Sequence, residues 1–496
     1  MYDFKSIKLD KNQSQHLYIQ LYKKIKELIL QGHLMEEERL LPVRKMAKTL
    51  EVNNVTVVKA YEILEKEGLV YKRIGSGTYI AKELPQELNN EDDISKHQAS
   101  VKNQLMEQGH VKVEKNMINF ASATPSAELF PVEDFKRVLN EVLDRDKGHA
   151  FDYQEGKGYY PLRSVLNKYI KHYGIEADTE SIQIISGAQQ GIDIISKALI
   201  NYGDYVVIES PSYTGAMAAF HSRGAKIIDI PLQKDGLDLE TLEKKIKIYK
   251  PRFIYVMPNF QNPTGISYSI SKKKEILNIC KRHNIYIVED DYLSDLDFNS
   301  NDSTTLKKLD NHEIVIYVKS FSKIFMPGLR LGFLVIPSKL HHNLLMAKHT
   351  TDISTSGLLQ RAFELYLNKG IWQKHLAYME EQYKERFLLM EESINQYFPK
   401  YVDCQLPLGG VNFWLKLPKG FSSNKLYERA VKENVIFAPG NLFFMGNQDE
   451  GYFRLSIASV NPSEIKYGIK LLGNLIGEYI DNKEELRKDI TIKPIL

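Results

Sequence analysis

Short apolar runs alternate with helical patterns through the middle of this chain, and no other feature constrains the fold as strongly. Six runs rich in β-branched and aromatic residues are typical of strands: IQIIS, YVVIES, FIYVMP, IYIVED, EIVIYV and GFLVIP, between residues 182 and 337. The first is followed by the helical pattern GAQQGIDIISKALI. This alternation predicts a mostly parallel, doubly wound α/β sheet whose functional site lies in the loops at the C-terminal ends of the strands.

The length of the chain predicts at least two domains. It has 496 residues, 43% hydrophobic and 26% charged, which is the balance of an ordinary globular protein. No apolar run is long enough to span a bilayer, and the first residues lack the apolar segment of a signal peptide. Cys280 and Cys404 are the only cysteines. We therefore expect a cytoplasmic protein without a disulfide framework, a cysteine-rich zinc site or membrane contact.

Positive charge is concentrated at the N-terminal end. Residues 1–81 contain 14 Lys/Arg and 10 Asp/Glu, a net +4, whereas the whole chain carries only +3. Apolar periodicity predicts helices at Leu17–Leu30, Val43–Leu50 and Val55–Lys66, and a hairpin at Leu69–Ala81 around Gly75-Ser76-Gly77. Gly32 and Gly68 are predicted to end the first and third helices, and an Asn to cap the third. Residues 12–82 are thus predicted to form a basic domain, which suggests a nucleic-acid partner.

Three helices followed by a basic, glycine-tipped hairpin resemble the winged helix-turn-helix of GntR-type bacterial regulators. The matching residues are Val43-Arg44-Lys45-Met46-Ala47, Thr56-Val57, Ala60-Tyr61, Leu64, Glu67-Gly68 and Gly75-Ser76-Gly77-Thr78. The resemblance implies that Val55–Lys66 enters the major groove of double-stranded DNA and that the hairpin lies against the backbone. The implied DNA-binding residues are Arg44, Thr56, Lys59, Lys72 and Arg73. The alternative for these cations is a solvated face without a partner.

Two positions depart from that family. Pro42 stands where a serine hydroxyl usually caps the second helix, and it suits a helix start but offers no side-chain acceptor. Asn53-Asn54 replaces a common Ser-Arg pair, which removes one expected cation. Both changes are compatible with the fold and affect only the contacts inferred there.

Residues 83–115 are polar and lack periodicity, so they are predicted to be a flexible linker, with a short internal helix as the alternative. As a coil, such a segment separates its ends by roughly 30 Å. This distance is long enough to place the DNA-binding head, residues 12–82, on a neighbouring subunit.

The stretch Ser320–Gly332 (SFSKIFMPGLRLG) follows the apolar run EIVIYV and combines one lysine with hydroxyl residues and an arginine. The amine of Lys323 can form an imine with an aldehyde cofactor, while hydroxyls and the guanidinium of Arg330 can hold a phosphate. Taken alone, the stretch is also compatible with an ordinary surface loop.

Three further stretches, together with the lysine segment, resemble the cofactor site of fold-type I pyridoxal-phosphate enzymes, specifically class I/II aminotransferases. They are Ser186–Gly191 (SGAQQG), Asn259–Gly265 (NFQNPTG) and Tyr286–Tyr292 (YIVEDDY), in that order and spacing. The resemblance covers residues 116–480. Residues after about Lys339 are helix-rich and then βαβ-like (VNFWLKLP, VIFAPG, YFRLSIAS), which predicts a smaller C-terminal α/β subdomain at about 340–480. The resemblance also implies pyridoxal 5′-phosphate as the cofactor.

The resemblance implies a role for each site residue. Lys323 would be the catalytic lysine that forms the internal aldimine, and Asp290 would keep the pyridine nitrogen protonated, with the adjacent Asp291 as the alternative. Tyr213 would stack on the ring, although ordinary packing is the alternative for it. The remaining cofactor-binding residues would be Tyr292 and Asn262 at the 3′-oxygen, and Gly187, Ala188, Gln189, Ser320, Ser322 and Arg330 around the phosphate.

Two residues are implied to act at the edges of this site. Tyr153, in the segment FDYQEGKG, would reach the phosphate of the other subunit, which requires a homodimer. Arg454 would clamp the α-carboxylate of a bound amino compound, with a structural ion pair as the alternative. The segment Gly370–Arg386 resembles a helix that carries the equivalents of His375, Met379, Tyr383 and Arg386 in the fused regulators, and no catalytic role is predicted for it.

A GntR-type head joined by a linker to an aminotransferase-like body resembles the MocR/GabR family of bacterial transcription regulators. This implies a homodimer, with each head packed on the partner subunit, that binds two DNA half-sites. An amino acid or other amino-group effector would form an external aldimine in place of Lys323 and so reposition the heads. The alternatives are an active aminotransferase with an appended DNA-binding head, and a regulator that senses pyridoxal phosphate itself. The effector, the operator and the sign of regulation stay open.

Overall fold

The computed structural model describes residues 4, 7, 9, 17–30, 34, 38–50, 52–66, 69–73, 77–81, 116–297, 303–446 and 451–491. The chain divides into two compact units, Met1–His110 and Val111–Leu496. The predicted linker lies outside the described residues, as do Gly32, Gly68 and the tip of the predicted hairpin. None of the helices in the described ranges is both long and apolar enough to cross a membrane.

The described residues of the first unit form three helices and a hairpin, as predicted. They are α1 (Leu17–Leu30), α2 (Val43–Thr49), α3 (Asn54–Lys66), β1 (Val70–Arg73) and β2 (Gly77–Ile80). The two strands are antiparallel, with Val70 opposite Ile80. The backbone of Leu40 donates a 3.0 Å hydrogen bond to the carbonyl of Thr78, so the segment before α2 extends the hairpin on its other side.

The core of this unit follows from the apolar stripe of α1. Leu21 and Ile25 of α1 are fully buried and belong to the same apolar cluster as Val57 and Leu64 of α3. Because the stripe recurs every three or four residues, one face of each helix is covered and the opposite face is left to solvent.

α2 and α3 still begin at the two positions where the sequence departs from the family pattern. Pro42 precedes α2 without a side-chain cap, and its carbonyl accepts the N–H of Lys45 at 2.8 Å. Asn53 Oδ1 accepts the N–H of Val55 at 3.1 Å, so an Asn caps α3 as predicted.

The second unit is built on an eight-stranded sheet with the order β4-β11-β10-β9-β8-β5-β6-β7. The strands are β4 (Ile182–Ile185), β5 (Tyr205–Ser210), β6 (Lys226–Gln233), β7 (Gly236–Leu237), β8 (Phe253–Val256), β9 (Tyr286–Asp291), β10 (Val315–Ser320) and β11 (Gly332–Val335). β11 and the two-residue β7 run antiparallel to their neighbours, and the other pairs are parallel. The predicted mostly parallel sheet is therefore confirmed.

The sheet differs from the sequence expectation in two places. β6 and β7 were not predicted, because the run KIIDIPLQ alternates exposed and buried residues and is interrupted by Asp229 and Pro231. β10 begins two residues later than predicted, since Glu313 has a φ of 53° that ends the extended conformation there. β10 ends two residues later than predicted because Lys319 and Ser320 still pair with β11, and the charge of Lys319 is buried beside Asp291, at 3.1 Å.

Helices surround this sheet and lead into a smaller C-terminal part. They are α4 (Val132–Asp146), α5 (Tyr160–His172), α6 (Ala188–Leu199), α7 (Thr214–Ser222), α8 (Leu239–Tyr249), α9 (Ile270–His283), α10 (Leu306–Leu309), α11 (His341–His349), α12 (Gly357–Asn368), α13 (Ile371–Tyr397), α14 (Ser423–Lys432) and α15 (Pro462–Thr491). The central strands β5, β8 and β9 are buried along almost their whole length, which explains their continuous apolar runs.

The C-terminal part contains a four-stranded antiparallel sheet. Its order is β12 (Asp403–Gln405), β13 (Asn412–Lys416), β16 (Tyr452–Ser456) and β15 (Ala438–Pro439). The expected βαβ pattern is present in split form, because β16 lies between β13 and β15. A separate pair joins β3 (Ile118–Asn119) to β14 (Val435–Ile436) in parallel. This pairing brings the residues just after β3 next to the C-terminal part.

Candidate functional site

Lys323 lies in the turn that follows β10, at the C-terminal edge of the sheet. Its Nζ donates a long hydrogen bond of 3.4 Å to Thr124 Oγ1. Burial, reinforced by the positive charges of Arg454 and Arg330, lowers the pKa of the Lys323 amine to about 8, although Asp290 acts in the opposite direction. An amine with such a pKa is partly unprotonated near neutral pH and can therefore act as a nucleophile.

The two acids at the end of β9 have opposite environments. Asp290 Oδ2 accepts the hydroxyl of Tyr255 at 2.6 Å, whereas Asp290 Oδ1 is buried without a hydrogen-bond partner among the described residues. Asp291 Oδ2 accepts the hydroxyl of Tyr317 at 2.5 Å and the amine of Lys319 at 3.1 Å. Adjacent residues of a strand face opposite sides of a sheet. Asp290 is therefore the acid with an oxygen left for a ligand.

The pKa values of the two carboxyls differ accordingly. Burial raises the pKa of Asp290 to about 6, despite the hydrogen bond from Tyr255. The pKa of Asp291 is held below its ordinary value, because the charge of Lys319 and the hydrogen bonds from Ser294 and Tyr317 outweigh its burial. A cationic N–H donor beside Asp290 would satisfy the open oxygen and favour the carboxylate.

A polar corner lies where α6 begins. Gly187 precedes the helix with a φ of 81°, and a Cβ atom there would lie 2.6 Å from the guanidinium of Arg330. Arg330 donates to the carbonyl of Ser186 at 3.0 Å. The β4-β11-β10 pairing brings this corner to Ser320, whose Oγ accepts the N–H of Ser322 at 3.2 Å.

The polar groups of this corner suit a phosphate. The Oγ of Ser322 is buried without a partner among the described residues. Ala188 and Gln189 form the first turn of α6, where backbone N–H groups lack helical acceptors. Free N–H groups, a hydroxyl and a guanidinium together provide the donors that a phosphate needs.

The three side chains expected to contact the cofactor ring are Tyr213, Tyr292 and Asn262. The charges of Asp290 and Arg454 act on both tyrosines, so these side chains lie in the same region. The hydroxyl of Tyr213 donates to Gln189 Oε1 at 3.2 Å. The hydroxyl of Tyr292 donates to the carbonyl of Phe260 and accepts Asn412 Nδ2 at 3.2 Å. Asn262 Oδ1 accepts Arg454 Nη1 at 2.7 Å.

Arg454 projects from β16 into the same region. It donates to Asn262 and to the carbonyl of Ala121, and its Nε is buried without a partner among the described residues. These described partners are neutral, so the geometry does not favour the structural ion pair considered above. Burial lowers the pKa of Arg454 to about 10, which still leaves it cationic at neutral pH. Such a guanidinium can bind a carboxylate ligand by donating hydrogen bonds to it.

Tyr153 is not brought into the buried site of its own chain. Its side chain is 80% exposed, and the nearby Phe151 is 69% exposed. The loop that follows is fixed by the buried Arg163, which donates to Glu155 Oε2 at 2.9 Å and to the carbonyl of Gly158 at 3.1 Å. Two large aromatic side chains are therefore presented to solvent next to a fixed loop.

The predicted DNA-binding residues are only partly described. Arg44 and Lys59 are exposed and Thr56 is half-buried. Lys72 and Arg73 belong to β1, but their side chains lie outside the described part of the chain. α3 also exposes two apolar residues that sequence reasoning missed, Val55 at 56% and Val58 at 38%. Their place off the buried stripe of α3 was the available signal, and exposed methyl groups suit contacts with thymine in the major groove.

Four contributors to the larger site were also missed. Thr124 contacts Lys323, Tyr255 contacts Asp290, Asn412 contacts Tyr292, and Ala121 contacts Arg454. Tyr255 lies within an apolar strand, so the sequence pattern predicts an ordinary core residue there. The other three reach the site only through the pairing of distant segments, so the sequence held no local signal for them.

The site defines the class of protein. Residues 115–472 match the family model described as "Aminotransferase class I and II", a family that uses pyridoxal phosphate. The open oxygen of Asp290, the corner at Gly187 and the low-pKa amine of Lys323 fit the ring nitrogen, phosphate and aldehyde of that cofactor. Residues 17–80 match the "Bacterial regulatory proteins, gntR family" model.

Three similar proteins show the same combination or its larger part. The uncharacterized HTH-type transcriptional regulator YdfD of Bacillus subtilis is 30% identical, over 93% of this chain and 96% of its own length. The probable rhizopine catabolism regulatory protein MocR of Rhizobium meliloti is 28% identical, over 94% of each chain. The structure of LysN, an alpha-aminoadipate aminotransferase of Thermus thermophilus complexed with N-(5'-phosphopyridoxyl)-L-leucine, superposes with a TM-score of 0.71, 33% identity and coverage of 79% and 98%.

The chain therefore belongs to the MocR-type regulators, in which a GntR-family helix-turn-helix domain is fused to an aminotransferase class I/II domain. The fold class and the cofactor expected from the sequence are confirmed by these matches.

Proposed function

We propose that this protein is a pyridoxal-phosphate-dependent transcription regulator that senses an amino compound in its aminotransferase-like unit. One observation carries the proposal: the amine of Lys323 and the guanidinium of Arg454 contact the same short segment, at Thr124 and at the carbonyl of Ala121. Asp290, with its open oxygen, lies near enough for its charge to act on the same amine. An amine, an open carboxylate oxygen and a carboxylate-binding guanidinium thus share one site. The same chain carries a DNA-binding head of the GntR family.

When bound, pyridoxal phosphate supplies an aldehyde that condenses with primary amines and a ring that withdraws electrons. Lys323 would provide the resident amine for the aldehyde. Asp290 would keep the ring nitrogen protonated through its open oxygen, while Tyr255 holds the other oxygen in place. Tyr292 and Asn262 would hydrogen-bond the 3′-oxygen of the ring, and Tyr213 would cover the ring face.

The phosphate is held by the corner at the start of α6. Gly187 permits a close approach, since no side chain intervenes between its backbone and Arg330. The N–H groups of Ala188 and Gln189, together with Ser320 and Ser322, complete the set of donors. Tyr153 of a second subunit would add a further donor, and its exposure in the single chain is consistent with burial in a homodimer.

An effector would bring its own primary amine to the position held by the amine of Lys323. Arg454 binds the carboxylate of the effector, which favours amino acids over simple amines. The released Lys323 and the occupied Arg454 change the charge distribution of the unit, and a dimer would transmit this change to two heads on two DNA half-sites. Couplings of about 1–3 kcal/mol, or 5–150-fold in affinity, are typical for such linkage. A DNA-binding regulator of this kind acts in the cytoplasm.

The test is an absorption titration of the purified protein with a panel of amino compounds, alongside Lys323→Ala. We expect one compound to shift the spectrum of the wild-type protein to a stable new state, and the same compound to alter the affinity for promoter DNA. The proposal is wrong if every compound that shifts the spectrum leaves both the DNA affinity and the footprint unchanged. A response of DNA binding to pyridoxal phosphate alone would instead identify the cofactor as the signal.

A second function, an active aminotransferase, is favoured by one specific observation. The similarity to the alpha-aminoadipate aminotransferase LysN covers 98% of that chain. The residues that would serve transamination are also near one another, since the charges of Asp290 and Arg454 act on the amine of Lys323. Steady turnover of an amino acid with a 2-oxo acid would support it. A reaction that stops before the cofactor changes to its amine form would support the sensor.

A further inference from the structure

One buried stripe of α13 has no part in the proposed chemistry. It consists of His375, Met379, Tyr383 and Arg386, which are spaced by four, four and three residues and therefore share one face of the helix. All four are buried, although two of them are large polar side chains and one carries a charge. Burying such groups is unfavourable unless they find partners, so the partners indicate what the stripe does.

Two of these side chains hydrogen-bond the backbone of the turn after β10, at Lys323 and Ile324, which is called the lysine turn below. The hydroxyl of Tyr383 donates to the carbonyl of Lys323 at 3.2 Å. His375 Nε2 lies 2.9 Å from the carbonyl of Ile324. A carbonyl only accepts, so Nε2 carries the hydrogen, and burial lowers the pKa of His375, which favours this neutral form. The ring of Phe325 also packs against His375, with centroids 5.5 Å apart.

The other end of the stripe reaches the segment after β16. Arg386 Nη1 donates to the carbonyl of Ala458 at 3.1 Å, four residues beyond Arg454. One continuous helix of 27 residues therefore contacts both the turn that carries the amine and the segment that follows the carboxylate-binding arginine.

We propose that Tyr383 and His375 are positioning residues that make Lys323 an effective competitor of an incoming amine. This inference rests on the proposed function. Two consecutive carbonyls of the turn are fixed, so the backbone from which the lysine side chain extends has little freedom. An amine held in place has a high effective concentration at the aldehyde carbon. The two hydrogen bonds thus determine how much external amine is needed to displace Lys323.

The exchange itself needs no further reactant. One carbon–nitrogen double bond to Lys323 is replaced by one to the incoming amine, Lys323 leaves as a free amine, and protons move between the two nitrogens. Removing the Tyr383 hydroxyl removes its hydrogen bond to the Lys323 carbonyl and loosens the turn. The external amine should then compete at a roughly two- to twelvefold lower concentration, the factor that corresponds to one hydrogen bond.

The experiment compares Tyr383→Phe with Tyr366→Phe in the full-length protein loaded with pyridoxal phosphate. Tyr366 is buried, its ring lies 5.1 Å from that of Phe325, and its hydroxyl has no partner among the described residues. The two variants therefore lose the same atom from the same core, but only one loses a hydrogen bond to the lysine turn.

Methylamine is the probe, because it carries an amine without a carboxylate and so does not depend on Arg454. After equilibration at increasing methylamine concentrations, borohydride reduces whichever carbon–nitrogen double bond is present. Intact mass then gives the fraction of protein with the cofactor fixed on Lys323. We expect the half-exchange concentration to fall for Tyr383→Phe and to stay at the wild-type value for Tyr366→Phe. A merely structural role of Tyr383 would destabilise the fold without favouring the external amine.

Equal or higher half-exchange concentrations in Tyr383→Phe than in Tyr366→Phe would overturn the inference while leaving the proposed function intact. A wild-type protein with no cofactor fixed on Lys323 would overturn both. If Tyr383→Phe does not fold, His375→Leu and His375→Gln provide the same comparison, because the Gln amide can still donate to Ile324. The inference then requires exchange at lower methylamine in His375→Leu and near-wild-type exchange in His375→Gln.

Discussion

Asp290→Asn is expected to stabilise the cofactor-free protein and to weaken cofactor binding. The substitution removes only the ability to ionise, since the Asn Oδ1 can still accept the hydroxyl of Tyr255. Burial raises the pKa of Asp290 from 3.8 to about 6. A carboxyl with a raised folded-state pKa contributes stability that is fully present below the unfolded pKa and is lost as the pH rises through the folded pKa.

The magnitude follows from this shift. At 1.36 kcal/mol per pKa unit, the free energy of unfolding falls by about 3 kcal/mol in total, and about 1.4 kcal/mol of it is lost between about pH 5 and pH 8. Asn does not ionise, so the variant does not lose this stability as the pH rises. The difference in stability between the variant and the wild type should therefore shift by about 1.4 kcal/mol in favour of the variant over the same interval.

Urea unfolding of the cofactor-free proteins at both pH values measures this difference. Trp372 and Trp414 are the only tryptophans, so fluorescence reports on the aminotransferase-like unit. The buried carboxyl of Glu289, whose pKa is raised by burial to about 8, titrates in both proteins and cancels in the comparison. Burial also raises the pKa of Glu209 to about 7, and the charge of Asp290 contributes to that rise, so the removal of this charge in the variant acts in the same direction as the predicted shift. Addition of pyridoxal phosphate should then stabilise the wild type more than the variant.

A constant difference across this pH range, or a variant that becomes relatively less stable at high pH, would refute the reasoning. Either result would mean that Asp290 is ionised and satisfied in the folded chain. Asp291→Asn is the control of opposite sign. The pKa of Asp291 is depressed, so its stability contribution is present above the unfolded pKa and lost as the pH falls. Its loss leaves the buried Lys319 with Asp295, at 2.6 Å, as its carboxylate partner and should lower the stability at neutral pH by less than the roughly 3–5 kcal/mol expected for a buried charge without any partner.

Three further substitutions test the phosphate corner, the carboxylate clamp and the DNA surface. Gly187→Ala places a Cβ 2.6 Å from Arg330 at a φ of 81°, so pyridoxal phosphate affinity, measured by absorbance, should fall roughly tenfold; unchanged affinity would contradict this geometry. Arg454→Lys keeps the charge but loses the planar fork, so the half-saturating glycine concentration should rise roughly ten- to hundredfold while that of methylamine stays the same. An equal rise for both amines would place Arg454 outside the carboxylate contact. Lys59→Ala should weaken DNA binding evenly across sequences and reduce the slope of log affinity against log salt by about 1; a sequence-dependent loss would instead indicate base contact.

Local patterns determined much of this protein. The apolar alternation between residues 182 and 337 predicted the parallel sheet, because each strand must be covered on both faces and so carries its own signal. The DNA-binding head could also be predicted from local patterns. The apolar stripe of α1 and the Asn that caps α3 are signals contained within a few neighbouring residues. The motif residues around Lys323 identified the cofactor class for the same reason.

Tertiary structure decided what those residues contact. Asp290 and Asp291 are chemically identical neighbours, and only Tyr255, Tyr317 and Lys319 on adjacent strands make one open and the other satisfied. Such contacts join residues far apart in the chain, so no local pattern encodes them.

The same reason applies to the edges of the site. Thr124 and Ala121 reach it because β3 pairs with β14 more than 300 residues later, and Tyr383 reaches the carbonyl of Lys323 across 60 residues. A side chain's residue type and local pattern reveal that it can donate a hydrogen bond. Which acceptor it meets depends on how distant segments pack, and this packing gives Lys323, Asp290 and Arg454 their shared environment.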